Sequence, residues 1–343
     1  MNKTYIIAEM AWAHDGSINK AIDIMKLAKD AGANAVGVHV TDLPTYIVPH
    51  YGSGEGRVSA GKESMDIYKY LEDINISYDD WITFNKAAVK ENIDICVMPN
   101  DARSLDFCES KIKVKHYVLS AASFVEKDFI IAVAKTGKPT IFRVGGATVG
   151  EIENALNIFN KYSGGDVTLL HGFQNYPTKI EDTNLLQMES LHKMFGVPVG
   201  LADHIDGGES IAKVIPIMAL SLGASCIEKH ITWDRDERGE DFEAALNPSD
   251  FKEFVSFIRA GEVALGKGYW GELSDASIRY REVSRKRMVA ARDICASQVI
   301  NRKDIAFKRS DHGMSPKYLE SLIGRVIKVD LRENEGINLE DLV

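Results

Sequence analysis

Short apolar runs alternate with amphipathic helical patterns along residues 1–265, and this alternation restricts the fold more than any other feature. Strands are predicted at Tyr5–Glu9, Ala35–Val40, Asp94–Pro99, Tyr117–Leu119, Thr140–Arg143, Val167–Gly172, Pro198–Asp203 and Cys226–Ile231. Helices are predicted at Ile18–Ala31, Ser77–Glu91, Ser104–Ser110, Lys127–Thr136, Val149–Tyr162, Glu181–Phe195, Gly208–Leu222 and Pro248–Leu265. Ser17 suits the N-cap of the first helix and Gly32 its end. Eight strand–helix pairs are what an α/β fold of the (β/α)₈ TIM-barrel type needs. A doubly wound open sheet is the alternative, but no Gly-rich fingerprint follows the first strand.

The barrel pattern stops after Leu265. Residues 266–285 read as a linker with a charged segment, and residues 286–343 as a small β-rich domain. Its short strands fit at Met288–Ala290, Val299-Ile300, Ile305–Lys308 and Val326–Val329. The second barrel loop, from about Thr41 to Asn75, is long enough to be a lid, and Arg57 and Lys62 on it are candidate cations.

Composition removes several function classes. The net charge is 41 − 50 = −9, which argues against nucleic acid or an anionic membrane as the main partner. No run of 18 apolar residues is present, so no spanning helix is expected. The first residues, Met1-Asn2-Lys3-Thr4, lead straight into a strand without a signal-peptide pattern. Cys96, Cys108, Cys226 and Cys295 are scattered, which fits reduced thiols in a cytoplasmic protein.

The chemistry concentrates at predicted strand ends. His204 closes Gly200-Leu201-Ala202-Asp203-His204, and His230 sits in Ile227-Glu228-Lys229-His230-Ile231-Thr232. A helix separates them, so both imidazoles fall side by side at one end of the sheet. Neutral imidazole is the commonest protein metal ligand. A two-histidine site leaves positions open for substrate oxygens, which favours Mn²⁺ or Mg²⁺ over a structural Zn²⁺. The plainer reading is two capping histidines.

Glu9 ends the first strand, where a carboxylate is either functional or part of an internal ion pair. Arg143 ends the fifth, as an anion anchor or as a structural partner of Glu9 or Asp101. His39 and His171 are candidates for substrate orientation or proton exchange, or simply hydrogen-bonded barrel histidines. Gln174, Asn175 and Tyr176 follow the sixth strand as candidate polar contacts, although Tyr176 before Pro177 also suits a turn. Asp241 lies in the charged stretch Arg235–Asp241, either as a sugar-binding or acid–base group or in a solvated loop.

Several motifs occur together in order. They are Ala8-Glu9-Met10-Ala11-Trp12-Ala13-His14, the stretch His171–Asp182 containing Tyr176-Pro177-Thr178, Gly200–His204, and Glu228-Lys229-His230-Ile231-Thr232. In these the chain resembles the N-acetylneuraminate (sialic acid) synthase family, which condenses phosphoenolpyruvate with an amino sugar. The tail motifs Val289–Ile294, Lys308-Arg309 and Ile323-Gly324-Arg325 resemble its antifreeze-like (SAF) domain. The resemblance implies a divalent metal on His204 and His230. It also implies a sugar contact from Asp241, active-site roles for Glu9 and Tyr176, and Arg309 reaching into a neighbouring subunit of a domain-swapped homodimer.

The departures matter equally. Where the family has a strand-two lysine, this chain has Gly37. Met98 replaces a threonine, Val118–Ser123 replaces a Lys-x-Gly-Ser-Gly-Glu stretch, Arg143 replaces a serine and Ala202 another. Phosphoenolpyruvate needs cations and hydrogen-bond donors, and losing them costs roughly 1.5–3 kcal/mol per charged hydrogen bond. The expected function is therefore metal-dependent, aldol-type C–C bond formation in sugar-acid biosynthesis, with the phosphoenolpyruvate donor in question. A lyase, epimerase or isomerase working on a hydroxy-carbonyl sugar acid is the alternative, and an inactive sugar-binding relative a third.

Overall fold

The computed structural model describes residues 3–51, 62, 64–162, 165–172, 177–266, 268 and 271–343. The chain divides into two compact units, Met1–Lys267 and Gly268–Val343. In the first, β1 (Tyr5–Ala11), β2 (Ala35–Val40), β3 (Asp94–Pro99), β4 (Val114–Ser120), β5 (Thr140–Arg143), β6 (Val167–His171), β7 (Val199–Asp203) and β8 (Cys226–His230) close into a parallel barrel. The helices are α1 (Ile18–Ala31), α2 (Leu43–Tyr46), α3 (Ile67–Ile74), α4 (Tyr78–Glu91), α5 (Ala102–Lys111), α6 (Lys127–Lys135), α7 (Val149–Tyr162), α8 (Gln187–Phe195), α9 (Ile215–Ser221) and α10 (Pro248–Leu265).

Strand alternation produces two cores. Ile7, Cys96, Val118, Ile141, Leu170 and Cys226 form one cluster, which fills the barrel. Their neighbours Ile6, Val97, Phe142, Leu169 and Ile227 join a larger cluster with Ile24, Phe84, Phe159 and Phe251 of the helices. Burial on both faces explains why the strands read as apolar runs rather than strict alternations. Continuing the inner file toward the strand ends brings Glu9, His39, Met98, Arg143, Ala202, Glu228 and His230 to one mouth. The caps also match their sequence signals. The Ser17 side chain accepts from the Lys20 amide, and Gly32 ends α1 at φ 95°, a conformation open to glycine.

The long second loop holds structure of its own, and three helix expectations are corrected. The long second loop contains α2 and α3, and α3 buries Ile67, Tyr70 and Ile74 on one face. The predicted Glu181–Phe195 helix shortens to α8, because Asn184 takes a left-handed φ of 36°. The predicted Gly208–Leu222 helix splits into a 3₁₀ turn at Ser210–Lys213 and α9. Pro216 stands in the first turn of α9, and its missing N–H and ring bulk forbid a continuous helix through it. Within the expected linker, α11 (Asp275–Ser284) forms, capped by Ser274. It buries no residue, so no apolar stripe announced it.

The second unit is built on a short antiparallel pair, β9 (Lys286–Ala290) and β10 (Ile305–Arg309), with α12 (Leu319–Leu322) beside it in sequence. Met288, Ile294, Ile300, Ile305, Leu322, Ile327 and Ile337 make its core. The strands expected at Val299-Ile300 and Val326–Val329 are reduced to single bridges, Val299 to Val326 and Ile327 to Leu342. Among the described residues, no helix is long and apolar enough to cross a membrane.

Candidate active site

Arg143 organises the barrel mouth. The residue is 2% exposed. Nη2 pairs with Glu9 Oε2 and with Glu228 Oε2 at 2.7 Å, and Nε donates to Glu228 Oε2 at 3.1 Å. Nη1 lies 3.5 Å from His39 Nε2 and 3.8 Å from Met98 Sδ. Asp101 is not among these partners: its carboxylate caps α5 through the Ser104 amide at 2.9 Å. The strand-five cation is thus held by two carboxylates.

Glu9 needs special backbone to reach it. A Cβ on Gly37 would collide with the Glu9 carboxylate, so only glycine at that β2 position lets Glu9 lie there. Beyond Glu9 the β1 register shifts, and Ala11 adopts φ 44° while wholly buried. In that strained conformation the Ala11 amide donates to Glu9 Oε1 at 2.8 Å. Glu9 is therefore fixed at both oxygens. Glu228 is held less completely. Burial, reinforced by the charge of Glu9 and opposed by Arg143, pushes its carboxyl up to about 7.

His204 and His230 come together as expected from their strand ends. Their ring centroids are 4.9 Å apart, at an interplanar angle of 55°, and both residues are 1% exposed. The His204 Nδ1–H donates to the Ala202 carbonyl at 3.3 Å, which leaves the lone pair on Nε2. Burial first, then the charges of Arg143 and Lys229, push His204 down to about 3. Burial likewise holds His230 and His39 well below the usual imidazole range. Two neutral imidazoles with a backbone carbonyl setting one tautomer are a donor set that suits a divalent cation. Among the described residues no cluster of three or more His, Cys, Asp or Glu forms a metal cage, so the shell would be completed by water or substrate oxygens.

Asp241 is not in a solvated loop. It is 7% exposed, at φ 61°, beside Glu240 and near Glu243, which are also buried. Burial first, then the charges of Glu240, Glu9 and Glu243, raise its carboxyl well above the usual range, with Lys62 opposing. Lys62 and Tyr70 of the second loop reach this wall: the Tyr70 hydroxyl donates to Glu240 Oε2 at 2.7 Å, and Lys62 Nζ approaches the same oxygen at 3.3 Å.

The other candidates divide. His171 donates through Nε2 to the Thr183 carbonyl at 2.8 Å, as a hydrogen-bonded barrel histidine does. Gln174, Asn175, Tyr176 and Arg57 lie outside the described residues. Arg309 lies on β10 of the second unit with an exposed side chain. Sequence reasoning did not single out Glu228, Glu240 or Glu243. The first was detectable, since it shares the inward face of β8 with His230.

Comparison with known proteins follows the same division of the chain. The NeuB family model matches residues 24–269, and the SAF domain model residues 288–343. An uncharacterized protein of Methanocaldococcus jannaschii is 31% identical over 343 residues, covering 99% of this chain and 95% of the relative. A pseudaminic acid synthase of Campylobacter jejuni is 29% identical over 340 residues, covering 99% and 96%. The crystal structure of N-acetylneuraminic acid synthetase from Leptospira borgpetersenii, in complex with citrate, superposes with a TM-score of 0.70 at 27% identity. It covers 82% of this chain and 92% of that one.

Proposed function

The chain belongs to the NeuB family and carries a C-terminal SAF domain, and on that footing we propose that it is a metal-dependent enzyme of sugar-acid biosynthesis that forms a carbon–carbon bond by aldol-type chemistry. The observation carrying the reading is the buried His204–His230 pair, with Glu9 opposite His230 in the sheet register and its charge felt by Asp241. His204 and His230 would hold the ion, Mn²⁺ or Mg²⁺ by its preference for completing its shell with oxygen. A cation there would act as a Lewis acid on the carbonyl of an open-chain sugar.

The protein's own groups supply the rest. Asp241, whose carboxyl burial pushes well above the usual carboxylate range, hydrogen-bonds a sugar hydroxyl. Neutral His39, next to Arg143 and Glu9, would take the α-C–H proton of a keto-acid donor, the C–H electron pair becoming the enolate that attacks the sugar carbonyl, and would have no such proton to take from phosphoenolpyruvate. Glu9 holds Arg143 in place, and burial of the whole set excludes water.

One observation favours a second reading. Arg143 is bound to both Glu9 and Glu228. A phosphoenolpyruvate trianion would meet two carboxylates on a single guanidinium there, which is electrostatically unfavourable. A lyase, epimerase or isomerase acting on a hydroxy-carbonyl sugar acid needs no such donor.

The test is to incubate the protein with Mn²⁺, phosphoenolpyruvate and a panel of N-acetylated hexoses, following inorganic phosphate. Metal-dependent phosphate release supports bond formation with that donor. Silence together with metal-dependent turnover of a keto sugar acid supports the second reading. Sugar binding indifferent to metal, without turnover of either kind, overturns both.

A further inference from the structure

A charged residue stands directly before each candidate ligand: Asp203 before His204 and Lys229 before His230. The two face each other in the β7–β8 register. Lys229 Nζ lies 2.9 Å from Asp203 Oδ2 and donates to the Ile205 carbonyl at 2.9 Å. Asp203 Oδ1 accepts from the Ile205 amide at 3.2 Å. Their side chains are 1% and 0% exposed. Strand alternation puts Lys229 on the face of Ile227, which packs in the outer core, while Glu228 and His230 face inward. The pair is thus separated from the mouth by the strand backbone and is no ligand itself.

β7 ends at Asp203, and the β7–β8 pairing ends with it, so the sheet ladder does not set the position of His204. The ion pair and its two bonds to Ile205 brace the chain on both sides of that histidine. Buried ion pairs add little net stability over apolar replacements, so the fold alone gives no reason for one here. A directional brace does.

We propose that Asp203 and Lys229 are positioning residues whose cross-strand ion pair fixes the spacing of His204 and His230 and thereby sets cation affinity. This rests on the proposed metal site. The test titrates Mn²⁺ into the full-length, metal-stripped protein and reads free Mn²⁺ by electron paramagnetic resonance. The variants are Lys229→Met and the double Asp203→Leu/Lys229→Met, which keeps the core apolar. Affinity is expected to fall about 10–100-fold in the double variant, at unchanged circular dichroism and melting temperature. Wild-type affinity in the folded double variant overturns the proposal, and so does failure of both variants to fold, which makes the pair structural only. His204→Ala separates the premise: if wild type binds no Mn²⁺, or binds it equally without His204, the proposed function fails and not this inference alone.

Discussion

Arg143 Nη2 and Glu228 Oε2 lie 2.7 Å apart inside the barrel, and the same guanidinium nitrogen also pairs with Glu9. One cation thus serves two buried carboxylates. Removing it leaves both uncompensated. Arg143→Met is expected to lose about 3–5 kcal/mol in urea unfolding. Adding Glu9→Gln and Glu228→Gln to that variant removes the stranded charges and should recover most of the loss. No recovery would mean that the triad does not act as one electrostatic unit.

Gly37 is the steric condition for that triad. Gly37→Ala inserts a methyl group where the Glu9 carboxylate lies, so Glu9 must move off Arg143. The expected destabilisation is about 1–3 kcal/mol, read by thermal melting. Combined with Glu9→Ala, the same substitution should cost much less than it does alone. Equal costs in both backgrounds would contradict the steric account.

His14 reports on pH. It is 1% exposed, and burial pushes it down to about 4, against 6.5 in the unfolded chain. Above pH 6.5 both states are neutral there. As pH falls from 6.5 toward 4, the unfolded chain takes up a proton that the folded one refuses, so stability falls with falling pH. The full window is worth about 3 kcal/mol at 1.36 per unit. His14→Asn can still accept from the Gly16 amide, which His14 Nδ1 accepts at 3.2 Å. Its unfolding free energy should therefore decline less between pH 7 and pH 4.5 than that of wild type. Parallel profiles would remove His14 from the account.

Asp241 separates stability from chemistry. Asn keeps the size of the carboxyl and has no charge for burial to disfavour, so Asp241→Asn should unfold within about 1 kcal/mol of wild type at pH 7. Its catalytic efficiency toward the sugar should fall about 10–100-fold, the worth of a misdirected hydrogen bond. A large stability loss with unchanged efficiency would assign Asp241 to the fold instead.

Much of the barrel was readable because each strand is a run buried on both faces and each long helix carries a wide apolar stripe. The bounds of α1, β2, β3, β5, α7 and α10 follow their patterns residue for residue. What failed were events at single residues. The left-handed Asn184 and Pro216 in a first turn break helices whose apolar spacing continues past them. The closeness of His204 and His230 was legible because one directly follows β7 and the other ends β8. The binding of Arg143 by Glu228 was not, because sequence gives an inward face but not which inward groups meet across a barrel. Burial of Asp241 was hidden for the opposite reason: a run of charges reads as solvated, yet Asp241 is 7% exposed and its neighbour Glu240 is bound by Lys62 and Tyr70, far away in sequence.

The proposed chemistry depends on a single cation shared by the imidazoles of His204 and His230. A Mn²⁺-soaked crystal, with anomalous diffraction collected at the manganese edge, tests it directly. The predicted result is one peak between His204 Nε2 and His230 Nε2, absent in His230→Ala. No peak there, with both rings hydrogen-bonded to protein groups instead, would contradict it.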